Sequence, residues 1–196
     1  MKKTSMEGSG VIDLGRLYDF KPSFGYFAKQ LSYPEDATYY QEVDEFFSPN
    51  DPAYNYVSKY MKEMKQKKLQ ELQELYVETF DFNENATLFM TYFKFKDAKE
   101  RGQILAKLKV LYEMFGLEMA QEELSDFLPL ICEFMYEAEW LGDPRAEDSF
   151  LILFGVLEDG TYHLLQELEK SNSPYFSLVK GLRETFKACL LREALG

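Results

Sequence analysis

The sequence has few of the residues from which metal centres and disulfide frameworks are built. It contains one histidine, two cysteines and one tryptophan among 196 residues. A zinc site needs several nitrogen or sulfur ligands that converge, and His163 with two distant cysteines does not supply them. Cys132 and Cys189 each lie within an apolar helical pattern and lack the paired spacing of disulfide-stapled secreted domains. These shortages predict a cytoplasmic protein with no bound metal.

Positive charge is also scarce. Lys and Arg total 22 against 34 Asp and Glu, which gives a formal net charge of −12. This sign repels phosphate backbones and attracts basic peptides, so we expect no nucleic-acid partner. The cluster of lysines within residues 62–68 is short and isolated, and we interpret it as a solvated face or a break between two helices.

Long apolar runs are missing as well. The longest runs without charge, such as residues 149–157, fall well short of the roughly 20 apolar residues that a membrane helix needs. No apolar core or cleavage site follows the two lysines near the start, so we interpret residues 1–21 as a flexible lead-in to a folded domain at residues 22–196. The sequence contains no Gly-rich phosphate loop and no Glu-x-x-His pair. We therefore expect no stable membrane association, no cofactor and no enzymatic activity.

Aromatic residues are abundant. The chain has 17 Phe and 14 Tyr, more than a small helical core usually needs, so some of them are expected to line a groove. With 46% apolar residues the chain can bury one core, and its length favours a single domain.

Helix-period patterns account for most of the chain. The predicted helical segments are residues 23–31, 35–47, 52–64, 69–80, 86–95, 98–115, 126–138, 149–157, 161–170 and 174–191. Their connections are short, and no linker divides them. The sequence therefore predicts an all-α fold, a single-domain helical bundle.

Three of these boundaries depend on local arguments. Residues 86–95 are rich in β-branched and aromatic side chains, so a strand is arguable, but the neighbours are helical and no partner strand is evident; we predict a buried helix. Asp97 and Glu100 predict a capping box at the start of a helix that Gly116 closes. Gly160 is predicted to separate two helices.

Several short motifs lie between Ser23 and Tyr136, and together they form one characteristic pattern. They are Leu31-x-Tyr33-Pro34, Tyr76-x-x-x-Phe80-Asp81, Leu88, Thr91-Tyr92, Arg101-Gly102-Gln103, Tyr112-x-x-x-Gly116-Leu117, residues 123–129 (ELSDFLP) and Glu133-Phe134. Together they resemble the NarJ family, the dedicated chaperones of respiratory nitrate reductase, which belong with the TorD/DmsD-like maturation chaperones of molybdenum enzymes. Lys96 stands where this family usually has glycine, and Ser125 and Phe127 stand where proline and histidine are common.

The resemblance implies a cytoplasmic, non-catalytic assembly factor. Such a factor binds the N-terminal segment of the nitrate reductase catalytic subunit and holds that subunit back from membrane docking while molybdenum cofactor and an iron–sulfur cluster are inserted. The client segment in this family resembles a remnant of a twin-arginine leader and tends to form a basic amphipathic helix. We predict that the peptide-binding residues are Tyr76, Phe80, Phe82, Tyr92, Arg101, Tyr112, Asp126, Phe127, Pro129 and Glu133.

Plainer interpretations stay open. Asp126 could favour the dipole of its own helix, Arg101 could pair with an acid across helices, and the aromatic residues could belong to the core. A helical scaffold or regulator with a different client is the alternative function, and a carboxylate-metal enzyme ranks last. The sequence leaves open whether the protein forms a homodimer.

Overall fold

The computed structural model describes residues 11–120 and 122–191. Within them, eight α-helices follow one another in the order α1 Leu14–Asp19, α2 Lys21–Gln30, α3 Tyr54–Met64, α4 Leu69–Tyr76, α5 Ala98–Met114, α6 Leu128–Glu137, α7 Ala146–Lys170 and α8 Tyr175–Lys187. A short antiparallel ribbon joins β1, Val11–Ile12, to β2, Leu190–Leu191. The prediction of an all-α, single-domain fold is confirmed. No helix in the described ranges is both long and apolar enough to cross a membrane.

The core forms where α2 packs against α6, and α8 packs against both α3 and α7. Its largest fully buried side chains are aromatic, and they include Trp140, Tyr26, Tyr60, Phe24, Phe27, Phe134 and Phe150. Each such side chain contributes about 1.5–3 kcal/mol when it is removed from water. The aromatic excess noted in the sequence is therefore largely a property of this core.

Residues 11–21, which the sequence assigned to a flexible lead-in, take part in the fold. β1 pairs with β2 at the other end of the chain, and α1 buries Leu17. The indole nitrogen of Trp140 donates to the carbonyl of Leu14 at 3.1 Å. These contacts form because Ile12, Leu17 and Phe20 are apolar and are buried in the core. Residues 1–10 lie outside the described residues.

The helix predicted over residues 35–47 is wrong. Two separate 3₁₀ turns, Ala37–Tyr39 and Val43–Glu45, occupy this stretch. The side-chain amide of Gln30 donates to the carbonyl of Tyr39 at 2.7 Å, and the Asp36 carboxylate accepts from the backbone N–H of Thr38 at 2.8 Å. Side chains thus satisfy backbone groups that a helix would have paired.

The buried helix predicted over residues 86–95 is also wrong. This segment forms turns, and at its centre Phe89 makes an antiparallel bridge with Phe127. The N–H of Met90 donates to the carbonyl of Asp126 at 3.0 Å, and the N–H of Leu128 donates to the carbonyl of Leu88 at 2.8 Å. The β-branched and aromatic side chains of the segment therefore agree with an extended pairing. The residues that pair with it lie just before α6.

Gly160 does not end a helix, because it lies inside α7, which is 25 residues long. A Cβ added at Gly160 would lie 2.6 Å from both the Cα and the carbonyl oxygen of Met90. The glycine therefore lets the backbone of the 86–95 segment approach α7 closely. Close approach, rather than helix termination, explains why glycine stands here.

α5 begins after Asp97 as predicted, but among the described residues only the Asp97 half of the predicted capping box forms, without a return contact from the Glu100 side chain. The Asp97 carboxylate accepts from the N–H groups of Lys99 at 2.7 Å and Glu100 at 3.1 Å, and Gly116 follows the helix with φ +90°.

Replacing Asp97 by alanine should lower the free energy of unfolding by about 1 kcal/mol, because two N–H groups lose their acceptor. Urea unfolding measures this loss. Asp97→Asn should keep most of the stability, and equal losses in both variants would contradict the capping role.

Candidate functional site

The structure divides the ten predicted site residues between two parts of the molecule. Tyr76, Phe80 and Phe82 lie at the end of α4 and just beyond it. The other seven lie on the 86–95 segment, on α5 and around the start of α6; they are Tyr92, Arg101, Tyr112, Asp126, Phe127, Pro129 and Glu133. These two sets have different neighbours in the fold.

The first part is an open groove beside α4, which we call the Tyr33–Phe82 groove. It encloses about 330 Å³, and its lining residues are Tyr33, Gln70, Gln73, Glu74, Val77, Glu78 and Phe82. Phe82 is 81% exposed and Tyr33 is 44% exposed. Two large aromatic side chains that water reaches in one groove are typical of a contact surface.

A change of helical pitch places Phe82 in this groove. After α4 the chain forms a π-helical turn, Val77–Asp81, in which the N–H of Phe82 donates to the carbonyl of Val77 at 3.1 Å. Such turns widen the helix and are frequent at functional sites. Phe80 is buried, whereas Phe82, two residues later, faces solvent.

Buried aromatic rings support the groove from below. The ring of Tyr33 meets the edge of Tyr76 at a centroid distance of 5.6 Å, and Tyr76 contacts Phe80 at 5.0 Å. Phe80 in turn contacts Tyr175 of α8 at 4.8 Å. Burial raises the pKa of Tyr76, and the carboxylate of Asp81 raises it further, so the hydroxyl stays protonated. Tyr76 and Phe80 therefore hold the groove in shape and present little surface of their own.

The rim of the Tyr33–Phe82 groove is acidic. Its charged lining residues are Glu74 and Glu78, which lie one helical turn apart. Like charges at this spacing repel each other, so a cation placed between them is favoured. Gln73 fixes the edge of the groove, because its amide nitrogen donates to the carbonyl of Pro34 at 2.9 Å. The groove thus combines an aromatic surface with negative charge.

The second part is organised around Asp126, whose side chain is fully buried. Its Oδ2 accepts from the backbone N–H of Thr91 at 3.0 Å, from the Thr91 hydroxyl and from Nη2 of Arg101 at 3.3 Å. Nε of Arg101 donates to the Thr91 hydroxyl at 2.9 Å. We call Thr91, Arg101 and Asp126 the Asp126 clasp, since together they tie the 86–95 segment to α5 and to the start of α6.

Three of the predicted residues near this clasp are buried. Tyr112 donates its hydroxyl proton to the carbonyl of Ser125 at 2.6 Å, and Pro129 is enclosed in the first turn of α6. Asp126 keeps one oxygen, Oδ1, without a partner among the described residues. Tyr112, Asp126 and Pro129 thus expose no side chain to a client in this structure. Of the interpretations left open above, Arg101 pairs with an acid, as the plainer one expected.

The remaining predicted residues are accessible. Tyr92 is 49% exposed beside the ring of Phe93, Glu133 is exposed on α6, and Phe127 and Arg101 are half-buried. Partial desolvation raises the pKa of the Glu133 carboxyl, and the nearby carboxylates of Glu123 and Glu137 raise it further. The peptide-binding roles of these four residues stay predictions.

Chemistry by the two thiols is disfavoured. Cys132 and Cys189 are buried, and desolvation raises the pKa of both, that of Cys189 to about 12. Across residues 11–120 and 122–191, no group of three or more His, Cys, Asp or Glu side chains is placed to hold a metal ion.

Sequence reasoning missed most of the groove. Tyr33 was recognised only as part of a motif, and Glu74 and Glu78 were not selected. A signal was present, because the two acids are four positions apart on a predicted helix that also presents Leu72 and Leu75. Phe82 was selected, but the π-helical turn that exposes it could not be foreseen.

A family model described as "Nitrate reductase delta subunit" matches residues 40–178. The chain belongs to this family. The match runs from the loop before α3 to α8, and it includes both the Asp126 clasp and most of the Tyr33–Phe82 groove. The resemblance stated from the sequence motifs is thereby confirmed.

Curated relatives carry related names. The chain is 32% identical over 120 residues to the "Probable nitrate reductase molybdenum cofactor assembly chaperone NarJ" of Bacillus subtilis. The aligned region covers 61% of each of the two chains. It is 28% identical over 105 residues to the "Probable nitrate reductase molybdenum cofactor assembly chaperone NarW" of Escherichia coli, covering 54% of this chain and 42% of that one. A "Nitrate reductase-like protein NarX" of Mycobacterium tuberculosis is 26% identical over 53% of this chain and 16% of its own length. The matched region spans at most about three fifths of these relatives.

Proposed function

We propose that this protein is a cytoplasmic, non-catalytic assembly chaperone for a respiratory nitrate reductase. Its client would be the N-terminal segment of the catalytic subunit, held while molybdenum cofactor is inserted and before the subunit docks at the membrane. Two relatives are named as molybdenum cofactor assembly chaperones of nitrate reductase, which supports this class of activity. The observation that carries the proposal is the Tyr33–Phe82 groove, where exposed aromatic rings and two carboxylates lie side by side.

A basic amphipathic helix suits this groove. Its apolar side chains would lie on the rings of Phe82 and Tyr33, which supply large, rigid contact area. Its basic side chains would meet Glu74 and Glu78 at the rim. The net charge of −12 attracts such a segment from a distance and speeds its association. Phe82 is therefore the central predicted binding residue, with Tyr76 and Phe80 as its support.

Phe82→Ala should weaken client binding. The peptide to use copies about fifteen N-terminal residues of the nitrate reductase catalytic subunit, roughly four helical turns. Loss of the most exposed ring in the groove should raise Kd about tenfold, roughly 1.4 kcal/mol, as measured by calorimetry. Tyr162→Ala is the matched control, because Tyr162 is 50% exposed but lies on α7. Equal affinities for wild type and Phe82→Ala would overturn the placement of the peptide in this groove.

The acidic rim should govern the rate of association. Glu74→Gln with Glu78→Gln removes both charges while keeping the shape of the side chains, so the association rate should fall and depend less on salt. Stopped-flow measurement over a series of salt concentrations gives both quantities. The double change Glu147→Gln, Asp148→Asn makes the same alteration in net charge at the start of α7. The proposal fails if this control slows association as much as the rim variant does.

A deletion strain tests the biological role independently of the groove. Without the chaperone, the nitrate reductase catalytic subunit should contain less molybdenum and show less activity, while transcript levels stay unchanged. Full molybdenum content and full activity in the deletion strain would favour a scaffold or regulator with another client.

A further inference from the structure

A second groove, between α5 and α7, has different chemistry. It encloses about 380 Å³ and is lined by Lys107, Val110 and Met114 of α5 and by Ser149 and Ile152 of α7. We call it the α5–α7 groove. Val110 is 56% exposed and Ile152 is 38% exposed, so two branched apolar side chains face solvent across it.

The groove exists because α5 meets α7 over only part of its length. Among the residues of α5, only Leu108, Leu111 and Tyr112 are buried. Just after α5, the ring of Phe115 contacts Phe150 of α7 at a centroid distance of 5.9 Å. Beside this contact the lining includes the short side chains of Ala106 and Ser149, and an apolar groove stays open that no part of the described chain fills.

Charge separates this groove from the first one. Lys107 is the only charged residue in its lining, and its ammonium group forms no ion pair with any residue in the described ranges. Glu147 and Asp148, in the first turn of α7, lie outside the lining. A basic helix that suits the Tyr33–Phe82 groove would therefore meet a like charge here, whereas a carboxylate would be attracted.

We propose that the α5–α7 groove docks an acidic amphipathic helix of a partner protein. Apolar side chains of that helix would enter between Val110 and Ile152, and one carboxylate would pair with Lys107. Met114 can adjust to anchors of different shape. This inference does not depend on the proposed client of the first groove.

The test uses the full chain and two synthetic peptides of about 18 residues, five helical turns. Both carry leucine at positions i, i+3, i+4 and i+7, and the flanking positions carry glutamate in one peptide and lysine in the other. Methyl-group NMR follows Val110 and Ile152 during each titration. The acidic peptide should shift these methyl signals in a saturable way, and the basic peptide should not. Phe82→Ala should leave the acidic titration unchanged.

Two variants sharpen the test. Lys107→Glu should weaken the acidic peptide at least tenfold and admit the basic peptide, whereas Lys62→Glu on α3 makes the same charge change elsewhere and should alter neither titration. Val110→Asp should abolish binding of the acidic peptide, with circular dichroism confirming that the chain is folded. The proposal is overturned by methyl signals that neither peptide shifts, by equal binding of both peptides, or by equal effects of the two lysine variants. Methyl shifts that follow protein concentration alone would instead identify a second copy of the chain as the occupant.

Discussion

Replacing Asp126 with alanine should lower the free energy of unfolding by about 3 kcal/mol, because removal of one partner strands the other members of a buried charge pair. The N–H and hydroxyl of Thr91 would lose their acceptor, and Arg101 would lose its counter-charge. Part of the Arg101 side chain, 25%, is exposed, so water compensates in part and the effect lies at the lower end of the range for buried pairs. Urea unfolding followed by circular dichroism measures it.

Neighbouring variants separate a structural role of Asp126 from a client contact. Asp126→Asn keeps the shape and should lose less stability, and Glu137→Ala, on the exposed side of α6, should stay within about 0.5 kcal/mol of wild type. Under conditions where Asp126→Ala is folded, its affinity for the client peptide should be unchanged. A variant of normal stability that has lost peptide affinity would restore Asp126 as a binding residue.

Gly160→Ala should destabilise the protein by about 2 kcal/mol, although alanine is the better helix former. The added Cβ would lie 2.6 Å from the Cα, Cβ and carbonyl oxygen of Met90, and backbone atoms cannot move aside as a flexible side chain does. The 86–95 segment would have to leave α7, and the contacts at the Asp126 clasp would be strained. Thermal and urea unfolding should both show the loss.

Gly102→Ala provides the matched control for this prediction. Gly102 also lies inside a helix, but a Cβ built there meets no atom within 4 Å. Alanine should therefore stabilise the protein by about 0.5–1 kcal/mol through helix propensity alone. Opposite signs at Gly160 and Gly102 are expected. Stabilisation by both substitutions would show that Met90 does not press on α7.

Local signals were sufficient to predict the elements that have them. α3, α5 and α8 follow apolar stripes of helical period, and at α5 the Asp97 cap and Gly116 mark both ends. The helix predicted over residues 86–95 is wrong because the pairing partner of this segment lies far along the chain: Phe89 pairs with Phe127, just before α6. Gly160 was misread because its reason is the backbone of that same distant segment.

The candidate site was less accessible to sequence reasoning than the fold. Phe82 is one of the aromatic residues that are expected to line a groove, but its exposure depends on a π-helical turn that no local sequence pattern indicates. Asp126 is predicted as a binding residue because it is the acid of the motif at residues 123–129, where a carboxylate could meet a basic side chain of the client. Its burial results from three segments that converge, and only the three-dimensional arrangement shows this.

The most direct measurement is to locate the client peptide on the chain. Isotope-filtered NOE spectra of the labelled protein with the unlabelled N-terminal peptide of the nitrate reductase catalytic subunit report which side chains touch it. The account predicts NOEs from the apolar peptide side chains to the rings of Tyr33 and Phe82, with chemical-shift changes at Glu74 and Glu78. NOEs confined to Tyr92 and Phe127, or to Val110 and Ile152, with none to Phe82, would contradict it.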